Sequence, residues 1–369
     1  MKKILIVSLK AGAGHLKAAQ AIEKAIKLQC SDLEVKNIDL LDYASILSKE
    51  FYGNWYLDIA NKVPEFYAWL YNKLDSSSTR VRLLSDRMNT QKFQKFVGDY
   101  NPDLVICTHF VPANLLTFWR KQYQLKFKIV LTLTDYEAHK LWVDNQVDMY
   151  TVATEYVEEQ FVEFGADKNK IKVTGIPIDI KFLSKIEKEE VRKKLGLENK
   201  FTISIFAGAF GVGSLQEIFA KITKIENDFQ IIAIAGKNKQ LYKEFQNLAQ
   251  KSTKKIMIRG FADNMEEIMA ASDVAVSKAG GLTVSECLAT NLPLIITHPF
   301  PGQEEANTRY LLNNQAAFVA DKPGEVINIF EKVLKNPVTL KQMKQNIEKI
   351  SKPNAALDIV KLIKKFIEP

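Results

Sequence analysis

The sequence predicts an α/β protein made of two doubly wound parallel sheets. Three observations carry that expectation. Twelve short apolar runs recur along the chain, separated by longer helix-period segments, and such a β-α alternation implies parallel pairing. Most of these runs are apolar almost without interruption, as strands covered on both faces are. Finally, 369 residues are too many for one ordinary core, so two domains of roughly 100–200 residues each are expected.

In chain order, the first half offers "KILIVS", "LEVKNI", "DLVICTH", "KIVLTLTD", "MYTVAT" and "IKVTGI" as strands. The second half offers "FTISIFAG", "FQIIAIAG", "KIMIRGF", "VAVSK", "LPLIITH" and "AAFVAD". The rhythm breaks between Asp42 and Val97, where no strand pattern appears and eight aromatics crowd Phe51 to Tyr71, Trp55 and Trp69 among them. Arg80, Arg82 and Arg87 follow. The expectation there is a helical insertion, residues 42–97, with its rings either buried or turned towards a lipid surface. Near residues 175–200 the chain carries Pro177, a charged helix, Gly196 and then a fresh strand, which places the domain boundary close to Pro177: a first domain of residues 1–177 and a second of 178–352. The tail "SKPNAALDIVKLIKKF" predicts a last helix after Pro353, capped by Asn354, within residues 353–369.

Composition narrows the class. Hydrophobic content of 47% and charged content of 25% fit a soluble globular protein. The apolar start, Ile4 to Val7, is far short of a signal-peptide core, and no stretch approaches the roughly 18 apolar residues of a membrane span. Cys30, Cys107 and Cys287 lie far apart without CxxC spacing, so a reducing compartment is expected, with neither disulfides nor zinc. The net charge of +8 is spread along the chain. It suits attraction to an anionic surface, lipid or nucleic acid, and equally suits solvated helix faces.

Two glycine loops carry the chemistry. In "KAGAGHLKAA" the Walker pattern is absent, and Gly12-Ala13-Gly14-His15-Leu16-Lys17 lacks the third glycine of a dinucleotide loop. A plain strand-to-helix turn would look the same. His15, however, falls in the first turn of a helix at the carboxyl edge of a parallel sheet, where such folds bind ligands. The positive helix end disfavours imidazolium, so the ring stays neutral and able to accept a proton.

The second loop, "VSKAGGLTVSECLATNLPLIITHPFPGQEEAN", is the richer one. Gly280 and Gly281 allow close backbone approach, and the helix mouth at Gly281, Leu282 and Thr283 offers free N–H groups to an anion such as a diphosphate. Glu286 lies about one turn in, placed for a ribose diol. Gln303 and Glu304 follow Pro301-Gly302, and an amide beside a carboxylate suits a polyol. Upstream, Phe261 follows a strand and either walls a nucleobase or packs in the core. Asn264 and Glu267 look like a capping box. The loop "AGAFGVGS", with Gly211, serves as a turn or as a further ligand contact.

Taken together, "GAGH", "LTDYEAHKLWVDNQVDMYTVATEYV", "KVTGIPI", "GFADNMEEIMAASD", "KAGGLTVSEC" and "PGQEEANTRYLL" resemble the lipid-glycosyltransferase branch of glycosyltransferase family 28. The branch includes monogalactosyldiacylglycerol synthases and processive diacylglycerol glucosyltransferases. The resemblance runs from residue 12 to about residue 312. It implies a GT-B fold: two Rossmann-like domains facing a cleft, the first holding the acceptor, the second a UDP-sugar, and a last helix crossing back to the first. It implies inverting transfer of a hexose, glucose or galactose, from a UDP-sugar to diacylglycerol or a glycosyl-diacylglycerol, giving a β-glycolipid. The expected base is His15, with His109 in "CTHF" and Asp135 in "LTD" as alternates or partners, and His139 and Trp142 shaping the acceptor pocket. The diphosphate would rest on the amides from Gly280 to Thr283 without an obligatory metal, in keeping with the lack of an Asp-x-Asp motif. Gly14, Gly211 and Phe261 join the donor set. The enzyme would be cytoplasmic, peripheral on the inner face of the membrane, with Trp55, Trp69, Arg80, Arg82 and Arg87 against anionic lipid and no nucleic-acid partner. Two further readings stand beside it: transfer of UDP-linked N-acetylglucosamine to a lipid-linked cell-wall precursor, and a GT-B-type UDP-sugar epimerase. A non-enzymatic nucleotide-binding module is the third. The cell-wall transferases normally carry a doubled glycine before the histidine, where this chain has Ala13-Gly14-His15, and "TDYEAHKLWV" fits the diacylglycerol branch better.

Overall fold

The computed structural model describes residues 1–10, 13–43, 90–208, 215–297, 299 and 302–367. Gly211, Trp55, Trp69, Arg80, Arg82 and Arg87 lie outside the described residues, as does the whole aromatic stretch from Phe51 to Tyr71. Two compact units divide the chain, one comprising Met1–Ile180 and Asn354–Pro369, the other Lys181–Pro353.

The first unit holds β1 (Lys2–Ser8), β2 (Leu33–Asp39), β3 (Leu104–Cys107), β4 (Lys128–Thr132), β5 (Met149–Val152) and β6 (Ile171–Val173). They form one parallel sheet in the order β2-β1-β3-β4-β5-β6. The apolar runs explain it. Alternate residues of a strand face opposite sides, and here both sides are buried. Leu5, Val7, Val105, Cys107, Ile129, Leu131 and Val152 join one core. Ile4, Ile6, Leu104, Ile106, Val130 and Met149 join the other. The edge strand β2 is less covered, which is why "LEVKNI" carries Glu34, Lys36 and Asn37.

Helices cover the sheet: α1 (Gly14–Gln29), α2 (Gln91–Tyr100), α3 (Phe110–Tyr123) and α4 (Glu155–Glu163). α1 buries Ala18, Ala19, Ala21, Ile22, Ala25 and Ile26, and the small alanines let its backbone lie close to the strands. The unit extends past Pro177 because Asp179 pairs with Lys24 on α1 and Ile180 packs on the α1 side of the core.

The second unit repeats the scheme with β7 (Thr202–Phe206), β8 (Gln230–Ile234), β9 (Ile256–Arg259), β10 (Val274–Ser277), β11 (Leu294–Thr297) and β12 (Ala317–Ala320). Its parallel order is β12-β11-β10-β7-β8-β9. Its helices are α5 (Lys188–Lys194), α6 (Leu215–Ile222), α7 (Lys239–Ala249), α8 (Met265–Ala271), α9 (Gly281–Ala289), α10 (Gln303–Asn313), α11 (Pro323–Lys335) and α12 (Pro337–Ile350). α13 (Ala355–Ile367) then returns to the first unit, burying Ala356, Ile359, Val360 and Ile363 in the core it shares with α1.

One local expectation changes. Asn264 does stand at the N-cap of α8, but its side chain makes no cap bond to the helix backbone. Its amide instead donates to Glu267 Oε2 at 2.8 Å, while Lys194 pairs with Oε1. With the carboxylate drawn to these two donors, the reciprocal capping box does not form.

In each sheet, strand order reverses once beside the first strand, between β1 and β3 and again between β7 and β10. Ligands of doubly wound sheets bind outside the carboxyl ends of the strands at such a point.

Candidate active site

At the first reversal, three strand ends bring their following residues together. Gly14 and His15 open α1 beyond β1. Thr108 and His109 follow β3. Thr134 and Asp135 follow β4. All but Gly14 are buried, His15 at 9% exposure and Thr108 at none.

His15 is oriented closely. Its Nδ1 lies 2.7 Å from the Thr108 carbonyl oxygen and 2.9 Å from Thr134 Oγ1. A carbonyl only accepts, so Nδ1 carries the proton and Nε2 keeps its lone pair. The Thr108 hydroxyl donates back to the His15 carbonyl at 3.0 Å. Burial pushes the His15 pKa down to about 4, while the Thr108 hydrogen bond works the other way. The ring is therefore neutral near pH 7.

His109 is arranged oppositely. It caps α3, its Nδ1 accepting the Val111 N–H at 3.1 Å, so its own proton sits on Nε2. Burial, and then the proximity of His15, hold its pKa well below the ordinary value. The two rings meet edge to face at 4.7 Å. His109 thus offers a neutral N–H donor, and its Nδ1 lone pair is already engaged. His139 caps the next turn in the same way, taking the Leu141 N–H at 3.3 Å. Trp142 from that turn is buried, 6.4 Å from His15 and 5.9 Å from His109. It is a wall behind the histidines.

At the second reversal, β10 hands over through Lys278, Ala279 and Gly280 to α9. Gly280 is extended, with φ −64° and ψ 137°, and has no side chain to cap the helix. The first amides of α9, at Gly281, Leu282 and Thr283, find no acceptor within the helix, and a helix mouth of this kind suits an anion. Glu286 is buried one turn further on. α10 begins the next loop, with Gln303 exposed and Glu304 half-buried. Gly302 ahead of them has φ +89°, a conformation that favours glycine. Asn307 joins the two loops, its amide donating to the Ala279 carbonyl at 2.8 Å from a fully buried position.

Gly14 and Gly280, like Gly98 and Gly324 elsewhere, have no conformational reason to be glycine. Gly14 and Gly280 both have ordinary φ, and a Cβ built on either meets nothing within 4 Å. Open space at a helix mouth is what a ligand approaching the backbone requires. Phe261, following β9, is 58% exposed with the Lys237 ammonium 5.8 Å from its ring centre, so it is no core residue. Among the described residues no cluster of three His, Cys, Asp or Glu side chains could hold a metal ion.

The structure thus brings His15, His109, Asp135, Gly14 and Trp142 to one sheet end, and Gly280, Gly281, Leu282, Thr283 and Glu286 to the other, with Gln303 and Glu304 opening the neighbouring helix. Thr108, Thr134 and Asn307 were not foreseen. For the two threonines the available signal is faint, polar residues closing otherwise apolar strands; Asn307, inside α10, carries none.

Residues 15–178 match the family model described as monogalactosyldiacylglycerol (MGDG) synthase, and residues 202–363 match the glycosyltransferase family 28 C-terminal domain. A processive diacylglycerol beta-glucosyltransferase of Staphylococcus epidermidis is 32% identical over 349 residues, 93% of this chain and 87% of that protein. One of the same name from Bacillus subtilis is 28% identical over 371 residues, 100% of this chain and 96% of its own length. Among solved structures, MurG of Acinetobacter baumannii superposes with a TM-score of 0.67 at 17% identity, covering 99% of this chain and 100% of that one. HepE of Anabaena, crystallised with UDP, superposes at 0.60 and 14% identity, with the same coverages.

Proposed function

The chain belongs to glycosyltransferase family 28, in the branch of the diacylglycerol glycosyltransferases, and from that premise we propose that it moves a hexose from a UDP-sugar to diacylglycerol or a glycosyl-diacylglycerol, making a β-glycolipid. The observation that carries the reading is full-length kinship with diacylglycerol beta-glucosyltransferases, joined to a neutral, oriented histidine at one sheet end and an open helix mouth at the other.

The chemistry is a single displacement. The acceptor oxygen bonds to the anomeric carbon as the bond from that carbon to the diphosphate oxygen breaks, and the electron pair leaves with UDP. Inversion of an α-linked donor gives the β-product. The acceptor proton goes to His15 Nε2, whose lone pair is left free by the Nδ1–H bond to Thr108. The α9 amides at Gly281, Leu282 and Thr283 take the charge developing on the diphosphate. Glu286 accepts from the ribose diol, Gln303 and Glu304 hold the sugar hydroxyls, and Phe261 lies against the base. Asp135, His109 and His139 line the acceptor side. No metal is assigned a step, and unchanged turnover in EDTA is the expected result.

Diacylglycerol resides in a bilayer. Among the described residues no helix is long and apolar enough to cross a membrane. We place the enzyme peripherally on the cytoplasmic face, with Trp55, Trp69, Arg80, Arg82 and Arg87 against anionic lipid on the strength of the sequence alone. The deciding assay measures UDP release from UDP-glucose and UDP-galactose, with and without diacylglycerol vesicles, and resolves products by thin-layer chromatography. A β-glycolipid formed only with lipid present is expected. Epimerised UDP-sugar without lipid, or transfer only to a lipid-linked cell-wall precursor, would replace this reading.

A further inference from the structure

We propose that Thr134 is a positioning residue for His15: its hydroxyl and the Thr108 carbonyl together hold the proton on Nδ1 and keep Nε2 bare. This rests on the reading of His15 as the base. Thr134 stands 119 residues from His15, in the loop after β4, and is 4% exposed. Its Oγ1 is 2.9 Å from Nδ1, beside the Thr108 oxygen at 2.7 Å. Because the carbonyl can only accept, the hydrogen lies on Nδ1, and the Thr134 oxygen meets it with a lone pair as a second acceptor. The opposite tautomer would set an Nδ1 lone pair against a carbonyl oxygen in a place water does not reach.

The arrangement matters most during turnover. When Nε2 takes the acceptor's proton, the ring becomes a buried cation. Hydrogen bonds from a charged donor are roughly twice as strong as neutral ones, so both acceptors stabilise the imidazolium more than the imidazole. They oppose the burial that weakens the base. The ring has little freedom to turn elsewhere, with His109 on its edge and Trp142 nearby. The titratable neighbours are His109, from the start of α3, and Asp135, next to Thr134 on the same loop.

The test compares Thr134→Val, which keeps the shape and loses the hydroxyl, with Thr134→Ser, which keeps the hydroxyl. Val is expected to lower kcat about 3- to 10-fold, the worth of one hydrogen bond, to leave UDP affinity unchanged, and to move the acid limb of the pH profile to lower pH. Ser restores both. Nitrogen-15 spectra of the free protein, whose sequence holds four histidines, should show His15 with its proton on Nδ1. A Val variant with wild-type kcat and pH profile overturns the proposal. So does a kcat loss that Ser fails to restore, which would assign Thr134 to methyl packing, and so does a proton found on Nε2. Full activity of His15→Ala would instead remove the base assignment, whatever tautomer the spectra report.

Discussion

The two sheet ends solve different electrostatic problems with different materials. The end of the first sheet is built from side chains: two histidines, two threonines and a tryptophan, nearly all buried, with protons fixed by their partners. The end of the second is built from backbone: an uncapped helix mouth, two glycines and one buried carboxylate. A group that must gain and lose a proton needs a titratable atom with an adjustable environment. A group that must hold a permanent diphosphate charge needs only fixed dipoles, which cost no reorganisation when the ligand arrives. Substitutions at the first end should therefore change rate and pH dependence. Substitutions at the second should change donor affinity.

His15→Ala should break that division most visibly, lowering kcat by roughly 10²–10⁴-fold as loss of a general base does while calorimetric UDP affinity stays within about twofold. A parallel fall in UDP affinity would show that the two ends are not separable. Glu286→Ala should do the reverse. The loss of a hydrogen bond to a charged group is worth roughly 1.5–3 kcal/mol, so UDP should bind about 10- to 150-fold more weakly in a variant whose circular dichroism is unchanged. Equal affinity would remove Glu286 from the ribose.

The pH dependence sharpens the contrast further. A base titrating at an ordinary 6.5 would be about 97% protonated at pH 5 and lose roughly 30-fold in rate. With His15 pushed down to about 4 by burial, kcat/KM should hold to pH 5 and fall near pH 4. Stability follows the same group. The unfolded chain binds a proton near pH 6.5 that the folded ring refuses until about pH 4, so stability rises with pH across that window and is lost as pH falls through it. His15→Gln should flatten that part of a melting-temperature curve, leaving the contribution of His109, whose pKa is also depressed. An acid limb at 6.5 would mean another base. The smallest effect belongs to Phe261→Ala. A single aromatic contact beyond its area is worth about 0.5–1.5 kcal/mol, so UDP binding should weaken about 2- to 12-fold, with no change in thermal stability because the ring is mostly exposed. A drop in melting temperature would return Phe261 to a structural role.

The framework was legible because it is periodic. Each of the twelve expected runs lies over an observed strand, since parallel strands buried on both faces are written as apolar words. The overruns are informative. "DLVICTH" and "KIVLTLTD" run on to His109 and Asp135, whereas β3 stops at Cys107 and β4 at Thr132. Among the surplus residues, Thr108, His109 and Thr134 are the ones that touch His15. What periodicity could not supply is pairing across distance. Thr108 and Thr134 reach His15 over 93 and 119 residues, and Asn307 reaches Ala279 over 28. His109 and His139 also escaped notice as helix caps, because histidine is not among the usual capping residues.

The return of α13 to the first unit has a consequence for how the protein is made. Lys364 donates to the Gln29 carbonyl across 335 residues, and Ile359 and Ile363 close a core begun by Ile4 and Ile6. The second unit, Lys181–Pro353, is one uninterrupted stretch and can fold as it leaves the ribosome. The first unit cannot. At synthesis rates of about 5–20 residues per second, its earliest strands wait on the order of 10–40 s after Ile180 for their last helix. During that interval the part of α1 that meets α13 is uncovered. The latter part of translation is thus the time at which this chain most needs a chaperone.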